Sequence, residues 1–484
     1  MVLPKIFSNS IIYTSVTILQ KCIYFFLLPL YTLYLTPADY GITGIVASFS
    51  SLLSIFIVLG LDTAASRFYY KYKSDTDYIK RLYGTIALVI LINSIVFGGV
   101  FILFHDWVID PFLGGIEYYP FVFVGLLNVI VSPLYILFQG YLQTIQDGKT
   151  FGINAMLNFF IHVGLTIIFV VYLELGALGV LLASLITSIV FFLYTIIVFI
   201  RYQVIVIDRR IVKESLKYSL PILPHTLANW SNSTIDKLLV NGIRTEVDAG
   251  LYNLGNQYAS VATVLTVSVN NAYLPWFFEK VNDLKSNLST IRKMSEILTW
   301  IVSFVCICMS LLSKEVLDLM INNPAYDDVW KVVPFIICGV IFGFIYFFYV
   351  NILFLKDTKL VFIITLLSVI INVILNLWLI PILGYIGCGI SFLGTFLMKS
   401  IIAVFVSMWM NKEIRFRTMY LFFIGILSSL ISISALLFEC SDVWVSVVLK
   451  LIVILLYISL IFLIYRSDFN SIFQHFIKKT GVRL

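Results

Sequence analysis

The sequence predicts an all-α polytopic membrane protein with about 14 transmembrane helices, built as two six-helix lobes (a parallel internal repeat) plus two C-terminal helices. Three observations predict this fold class. The 484 residues are 61% hydrophobic and only 12% charged, against about 25% charged in ordinary globular proteins. Apolar runs of about 20 residues, enough to cross a hydrocarbon core of about 30 Å, recur along the whole chain. Positive charges cluster in alternate connecting segments.

Hydropathy places each helix along the chain. The predicted helices are 9–35, 41–65, 82–104, 118–141, 151–173, 177–200, 219–243, 250–276, 296–313, 329–355, 359–381, 387–410, 417–437 and 443–465.

The distribution of Lys and Arg agrees with this helix count. With the N-terminus inside, most of the 32 Lys and Arg residues fall in predicted cytoplasmic segments. Only Arg244, Lys314 and Lys331 fall on the opposite side, as the positive-inside rule describes. We therefore expect a multi-pass protein with both termini in the cytoplasm. The net charge of +6 reflects this topology and does not indicate nucleic-acid binding.

An internal repeat predicts the domain organisation. Gly41 and Gly250, which each lie at the start of a helix, are 209 positions apart, and residues 172–179 match residues 380–387 at an offset of 208. An even number of helices per half makes the two repeats parallel rather than inverted. The predicted domains are an N-terminal lobe at 1–205 (helices 1–6), a C-terminal lobe at 206–412 (helices 7–12), and helices 13 and 14 with a cytoplasmic tail at 413–484.

The seventh predicted helix, 219–243, carries polar residues that are costly in lipid. His225, Asn229 and Asp236 fall on one helical face together with Asn232 and Ser233. Lys237 follows Asp236 at about 100° around the helix, so each side chain needs its own partners. For Lys237, snorkelling towards the outer surface explains the position nearly as well as a place in a cavity.

The first helix is the counterpart of the seventh and carries Lys21 near its middle, where snorkelling is hardest. Polar residues also follow one face of the second helix, with Ser48 and Ser51, and of the eighth, with Asn253 and Gln257. These four helices correspond under the repeat, which predicts a cavity between two lobes. For a single Ser, Thr or Asn, a hydrogen bond to a neighbouring helix is the simpler explanation.

Two further lysines, Lys399 and Lys450, lie within predicted helices. Each could form a structural pair or contact lipid headgroups.

Enzyme signatures are lacking in the sequence. It contains no phosphate-binding loop of the Walker type and no cluster with metal-ligand spacing. The segments between helices are too short for a soluble catalytic domain, and the longest predicted cytoplasmic ones, 66–81 and 201–218, are expected to be solvated basic linkers. We therefore expect a protein that is not an enzyme and that uses neither a cofactor nor a metal.

Several segments resemble one family. Leu33–Gly41 (LYLTPADYG), Gly60–Phe68 (GLDTAASRF) and Asn372–Pro381 (NVILNLWLIP) are similar to the polysaccharide-biosynthesis (Wzx-type) flippases of the multidrug/oligosaccharidyl-lipid/polysaccharide (MOP) exporter superfamily. The resemblance implies a flippase in a bacterial cytoplasmic membrane. Its substrate would be an undecaprenyl-diphosphate-linked oligosaccharide, the precursor of O-antigen, capsule or exopolysaccharide. Two lobes would alternate access to a cavity lined mainly by helices 1, 2, 7 and 8.

The resemblance and the polar faces together suggest residue roles. We expect Lys21, with Lys237 as second candidate, to meet the diphosphate or an acidic sugar. Asp236 would be a counter-ion or a coupling carboxylate, with H⁺, Na⁺ or the membrane potential as the driving force. Further expected cavity residues are His225 and Arg67, together with Asn229, Asn256 and Gln257, which would meet sugar hydroxyls. A polysaccharide polymerase is a further candidate partner.

Three alternative functions stay open. A multidrug antiporter of the MATE kind would favour acidic residues inside the lobes, whereas most mid-membrane charges here are lysines. A lipid II flippase also moves a polyprenyl diphosphate. A polysaccharide polymerase would usually carry a larger periplasmic loop than 105–117 or 314–328.

Overall fold

The computed structural model describes residues 25–110, 113–356, 359–438 and 443–466, and also residues 9, 12, 13, 15, 16, 18–21 and 23. Every regular element in this part of the chain is helical, which confirms the predicted fold class. The α-helices are α1 Leu28–Tyr34, α2 Pro37–Val58, α3 Leu61–Lys71, α4 Thr76–Leu103, α5 His105–Val108, α6 Phe123–Thr144, α7 Gly148–Ile167, α8 Gly176–Tyr202, α9 Arg209–Ser219, α10 Leu223–Ile243, α11 Glu246–Val281, α12 Leu284–Leu311, α13 Ser313–Met320, α14 Val333–Phe354, α15 Lys359–Leu383, α16 Tyr385–Met410, α17 Thr418–Ile433 and α18 Val443–Ile464. Short π-helical turns at Tyr118–Val122 and Ile168–Tyr172 adjoin α6 and α7.

The second predicted helix, 41–65, is divided into α2 and α3. α2 begins earlier, at Pro37, because Thr36 and Asp39 form a capping box around the first backbone amides. It ends at Val58, because Leu59 and Gly60 both have left-handed backbone angles, with φ of 51° and 69°. A Cβ on Gly60 would lie 3.3 Å from the Cβ of Ser219, so glycine also suits this close approach.

The segment 201–218, predicted to be a solvated basic linker, contains the helix α9. Its N-cap is Asp208, whose carboxylate accepts hydrogen bonds from the backbone amides of Arg210 and Ile211. Ile211, Ser215 and Ser219 are buried at steps of four, while the basic residues are more exposed. α9 is therefore an amphipathic helix ahead of α10, which begins at Leu223 rather than at 219.

Within the described residues, eleven helical segments are long and apolar enough to cross a membrane. α10 and α11 fall outside this set because they carry many polar residues, although 21 and 36 residues give them sufficient length. The first predicted helix lies partly outside the described residues. A multi-pass membrane protein with 14 spans agrees with this pattern.

The chain divides into two compact units by its contacts. The first unit comprises residues 1–257, 320–329 and 365–388, and the second comprises 258–319, 330–364 and 389–484. These units follow the packing of this structure rather than the sequence repeat. The lobes at 1–205 and 206–412 therefore stay a prediction.

The second unit is built around α14, in which 19 of the 22 residues are buried. A core cluster of Trp300, Ile307, Leu311, Ile424, Ala435, Ile454 and Tyr457 joins α12, α17 and α18. Lys450, which is 1% exposed, lies 2.5 Å from the Glu315 carboxylate and so belongs to a structural ion pair. Lys399 is buried, with its ammonium 4.7 Å from the centre of the Tyr346 ring.

In the first unit, the starts of α2 and α11 pack at two glycines. A Cβ on Gly41 would overlap the backbone oxygen of Glu246, and a Cβ on Gly250 would overlap the backbone oxygen of Pro37. Pro37 and Glu246 are 209 positions apart, as are Gly41 and Gly250. Equivalent positions of the sequence repeat therefore contact each other reciprocally, at a distance that only glycine permits.

We expect Gly250→Ala to lower the free energy of unfolding by about 1–3 kcal/mol, the usual cost of overpacking. The measurement is the thermal unfolding midpoint of the protein in detergent. Gly140→Ala in α6 is the control, because a Cβ there meets nothing within 4 Å and alanine favours the helix. An unchanged midpoint for Gly250→Ala would show that the two helix starts can separate without cost.

Candidate functional site

A polar cavity of about 340 Å³ lies within the first unit. It is lined mainly by α2, α10 and α11, with contributions from α1, α7 and α8. The lining residues are Tyr31, Leu35, Tyr40, Thr43, Gly44, Ala47, Ser48, Ser51, His162, Thr166, Val180, Thr234, Lys237, Asn253 and Gln257.

The wall formed by α2 carries hydroxyl groups at the spacing of one helical face. Ser48 donates to the backbone oxygen of Gly44 at 2.6 Å, and Ser51 donates to that of Ser48 at 2.8 Å. These bonds satisfy each hydroxyl proton within the helix and leave the oxygen as an acceptor. Facing them, Asn253 donates to the backbone oxygen of Tyr40 at 3.3 Å and packs against Gly44.

The cavity is positively charged. Among the lining residues, Lys237 carries the only full charge apart from a titratable imidazole, and none is Asp or Glu. The Lys237 side chain is half-buried, so its ammonium faces a restricted polar space rather than bulk water. An ammonium in such a space interacts with an anion more strongly than it would in water. The cavity is therefore suited to a group that combines negative charge with hydroxyls.

His162 lies at the edge of this cavity. Its Nε2 is 2.9 Å from the Ser184 hydroxyl, and its backbone oxygen accepts a hydrogen bond from Thr166. The ring is thus oriented by α8 while one side of it borders the cavity.

Asp236 points away from this cavity, as the 100° step between neighbouring helical residues requires. Its side chain is 3% exposed and accepts hydrogen bonds from the Tyr252 hydroxyl at 2.9 Å and from Asn376 Nδ2 at 2.6 Å. Asn376 also donates to Asn372 Oδ1 at 3.1 Å. The carboxylate thus joins α10, α11 and α15 through neutral polar groups.

Of the two predicted diphosphate ligands, only Lys237 lines the cavity. Lys21 is helical and exposed, and it lies outside the cavity lining. Its neighbour Gln20 donates to the backbone oxygen of Ala155 at 2.9 Å, so this helix packs against α7. Arg67 is also exposed, with its guanidinium 4.2 Å from the centre of the Tyr218 ring on α9.

The predicted sugar-binding residues are likewise divided. Gln257 lines the cavity, whereas Asn256 is half-buried outside its lining. Asn229 is exposed and lies 3.1 Å from Nε2 of His225, four residues before it in α10. His225 and Asn229 therefore form a local pair away from the cavity.

Sequence reasoning missed part of this lining. It noted Ser48, Ser51 and Asn253 on polar faces but did not select them as site residues, and it passed over Thr43 and Thr234. Sequence spacing does not distinguish a Ser or Thr that only hydrogen-bonds within its own helix from one that also faces a cavity. Only the packing of α2 against α10 and α11 separates the two cases.

One group of residues has donors suited to a metal, although the sequence predicted none. His105, Asp106 and Asp110 place one donor atom each within 4.8 Å of one another. His105 Nδ1 lies 3.1 Å from Asp110 Oδ2 and 3.3 Å from Asp106 Oδ1, and its ring stacks on Tyr118. Asp106 is exposed, and His105 lies within hydrogen-bond distance of Asp110. Hydrogen bonding among these side chains is therefore enough to explain why they lie together.

Solved structures of membrane transporters share this fold. The solved structure of the lipid II flippase MurJ in an inward closed conformation matches with a TM-score of 0.72, at 16% identity, over 96% of this chain and 100% of that one. An inward-facing multidrug resistance MATE family transporter of the MOP superfamily matches with a TM-score of 0.56, at 16% identity, over 81% of this chain and 94% of that one. At these identities the similarity shows a shared fold.

The sequence profile of the polysaccharide biosynthesis protein family matches residues 6–281, more than half of the chain. The chain therefore belongs to this family. A Haemophilus influenzae protein named for the Lsg locus is 22% identical over 351 residues, which cover 69% of this chain and 81% of that protein. The predicted resemblance to polysaccharide-biosynthesis proteins is confirmed. The two structural neighbours are described as a flippase and a multidrug resistance transporter. The prediction that the chain is not an enzyme agrees with this family and these neighbours.

We expect Asn376→Leu to lower the free energy of unfolding by about 1–3 kcal/mol, because it removes a donor from a buried carboxylate. The shift in thermal midpoint of the detergent-solubilised protein measures this loss. Asn229→Leu, at an exposed position of α10, is the control and should leave the midpoint nearly unchanged. Equal midpoints for the two variants would mean that Asp236 does not need Asn376.

Proposed function

We propose that this protein translocates an undecaprenyl-diphosphate-linked oligosaccharide across the bacterial cytoplasmic membrane by alternating access. The observation that carries the proposal is the polar cavity, whose lining combines Lys237 with hydroxyl and amide groups and includes no carboxylate among the described residues. A diphosphate brings negative charge and an oligosaccharide brings hydroxyls, so the lining complements both. Membership in the polysaccharide biosynthesis protein family supports the same substrate class.

The cavity replaces the hydration that a diphosphate and sugars lose inside a membrane. The Lys237 ammonium offsets phosphate charge as a compact cation with three donors. The hydroxyl oxygens of Ser48 and Ser51 and the amide of Gln257 exchange hydrogen bonds with sugar hydroxyls. Lys21 and Arg67, both exposed, would meet the diphosphate before or after this cavity rather than within it.

A cation-exporting multidrug antiporter is the main alternative. Its cavity would attract cations through acidic groups, whereas the lining here is positive. A lipid II flippase stays open as a second alternative, because its substrate is also a polyprenyl diphosphate and would suit the same lysine.

Asp236 is the proposed coupling residue. A buried carboxylate held by neutral donors is stabilised further when it binds a proton or a cation. Asn376, whose Nδ2 donates to this carboxylate, also has a buried Oδ1 with no hydrogen-bond partner among the described residues, so this oxygen is available as a further cation ligand. The site is separate from the cavity but lies on the same helix as Lys237, one residue earlier.

We expect Lys237→Met to reduce oligosaccharide export by about 10- to 100-fold, because a hydrogen bond to a charged group contributes about 1.5–3 kcal/mol. Lys237→Arg keeps the charge and should retain most of the activity. The measurement is translocation of a lipid-linked oligosaccharide into proteoliposomes, supported by surface polysaccharide at matched protein levels.

Lys213→Met, at an exposed position of α9, controls for the loss of a positive charge. Lys21→Ala tests the other predicted lysine in the same assay. Normal translocation by Lys237→Met with loss in Lys21→Ala would move the diphosphate site to the first helix. Normal translocation by both variants would contradict the proposal that a lysine binds the diphosphate.

We expect Asp236→Asn to remove the response of translocation to its driving ion, because an amide takes up no proton and, being neutral, attracts Na⁺ far less than a carboxylate does. Proteoliposomes with a Na⁺ gradient, a pH gradient or a membrane potential imposed separately identify the driving force for the unmodified protein. Asp77→Asn, at an exposed position of α4, is the matched control. An unchanged response in Asp236→Asn would leave Asp236 with a packing role only.

A further inference from the structure

A second and larger cavity lies in the first unit, on the opposite side of α2 and α10 from the polar cavity. Its volume is about 740 Å³, within the range of about 300–1,000 Å³ typical of ligand sites. Phe49 and Leu53 of α2, Phe101 of α4 and Leu239 of α10 are among its lining residues, which are almost entirely apolar. The cavity follows α10 from Trp230 to Ile243, a distance of about 20 Å at 1.5 Å per residue.

The two cavities share their walls. On α10, Thr234 and Lys237 line the polar cavity, whereas Ile235 and Leu238 line the apolar one. On α2, Ser48 and Ser51 line the polar cavity, and Phe49 and Leu52 line the apolar one. The packed pair of α2 and α10 is therefore a partition with a hydrophilic side and a hydrophobic side.

A hydrogen bond joins the two helices of this partition. The indole Nε1 of Trp230 donates to the hydroxyl of Ser51 at 2.9 Å. Trp230 lines the apolar cavity and Ser51 lines the polar one. An indole of the apolar lining and a hydroxyl of the polar lining are thus in direct contact.

We propose that the apolar cavity binds a linear stretch of the substrate's polyprenyl chain and that the Trp230–Ser51 hydrogen bond marks its junction with the diphosphate. This inference rests on the proposed function. This apolar cavity, called the groove below, is about 20 Å long, which suits an extended hydrocarbon chain. Inside a membrane the chain leaves hydrocarbon rather than water, so van der Waals packing against the aromatic and branched side chains favours its binding. The polar end of such a chain would lie beside the cavity that contains Lys237.

A polyprenyl chain fits this groove better than the acyl chain of a bilayer phospholipid. The headgroup of a bilayer phospholipid stays at the membrane surface, which holds its chains at the level of the surrounding leaflet. The groove, by contrast, adjoins an internal polar cavity with a lysine. A lipid whose diphosphate enters that cavity brings its first hydrocarbon units to Trp230.

Gly242 allows a direct test, since it lines the groove and a Cβ there meets nothing within 4 Å. Gly242→Phe should fill the groove without disturbing the helix. Gly140→Phe in α6 is the matched control, because its Cβ also meets open space and it lines neither cavity. Both variants and the unmodified protein are placed in proteoliposomes with a polyprenyl diphosphate that carries a diazirine on its chain.

After irradiation, mass spectrometry locates the labelled peptides. We expect labelling of α10 in the unmodified protein and in Gly140→Phe. In Gly242→Phe this labelling should fall by about tenfold, which corresponds to about 1.4 kcal/mol, because the phenyl ring occupies space that the chain would fill and overpacking carries a cost of this size. Undiminished labelling in Gly242→Phe would overturn the proposal. Equal labelling of α10 by a diazirine-bearing phosphatidylglycerol would also overturn it, because the groove would then be an ordinary lipid contact.

Translocation of the lipid-linked oligosaccharide by the unmodified protein separates this inference from the proposed function. Translocation without labelling of α10 refutes the groove and leaves the proposed function standing. Labelling that Gly242→Phe abolishes, in a protein that translocates no such oligosaccharide, supports the polyprenyl site and refutes the proposed function.

Discussion

Every polar group inside a membrane has to find its partner within the protein, because hydrocarbon offers none. In this chain the requirement is most severe on α10, where Asp236 and Lys237 are neighbours. The helical step of 100° directs the two side chains to different sides of α10, so they need separate partners rather than each other. Tyr252 and Asn376 instead surround the carboxylate, and the polar cavity receives the ammonium.

The position of two neighbouring helices follows from this division. α11 has to bring Tyr252 to the carboxylate, and α15 has to bring Asn376, so both pack against α10. The reciprocal glycine contact then brings the start of α11 close to the start of α2. With α2 so placed, its hydroxyl face closes the cavity opposite Lys237. One buried carboxylate thus contributes to the position of the helices that line the cavity.

The sequence predicted the fold well, because a membrane span is encoded in the local property of hydropathy. Alternating positive charge then checked the helix count independently. The interruption at Leu59 and Gly60 was missed, since a left-handed turn of two residues leaves the hydropathy of 41–65 nearly unchanged. The helix α9 was missed because its many charges suggested a solvated linker, although its N-cap at Asp208 was visible in the sequence.

The site was predicted less completely than the fold. Helical spacing identified the polar face of the seventh helix, but the same spacing cannot say which neighbour each side chain meets. Asp236 and Lys237 were selected together, and the structure places them in different environments. Lys21 was favoured because it lies near the middle of its helix, yet its side chain is exposed outside the cavity. Depth in the membrane is a property of one helix, whereas a cavity is a property of several.

The two cavities on either side of the α2–α10 partition, taken together, indicate the class of substrate better than either cavity does alone. A purely polar solute would need only the hydroxyl-lined side, and a lipophilic cation would need carboxylates there. The described lining offers a lysine and hydroxyls on one side and an aromatic groove on the other. That pairing complements a molecule with an anionic, hydroxyl-rich head joined to a long hydrocarbon tail. A lipid-linked oligosaccharide has this construction, so the same helix pair provides for both of its parts.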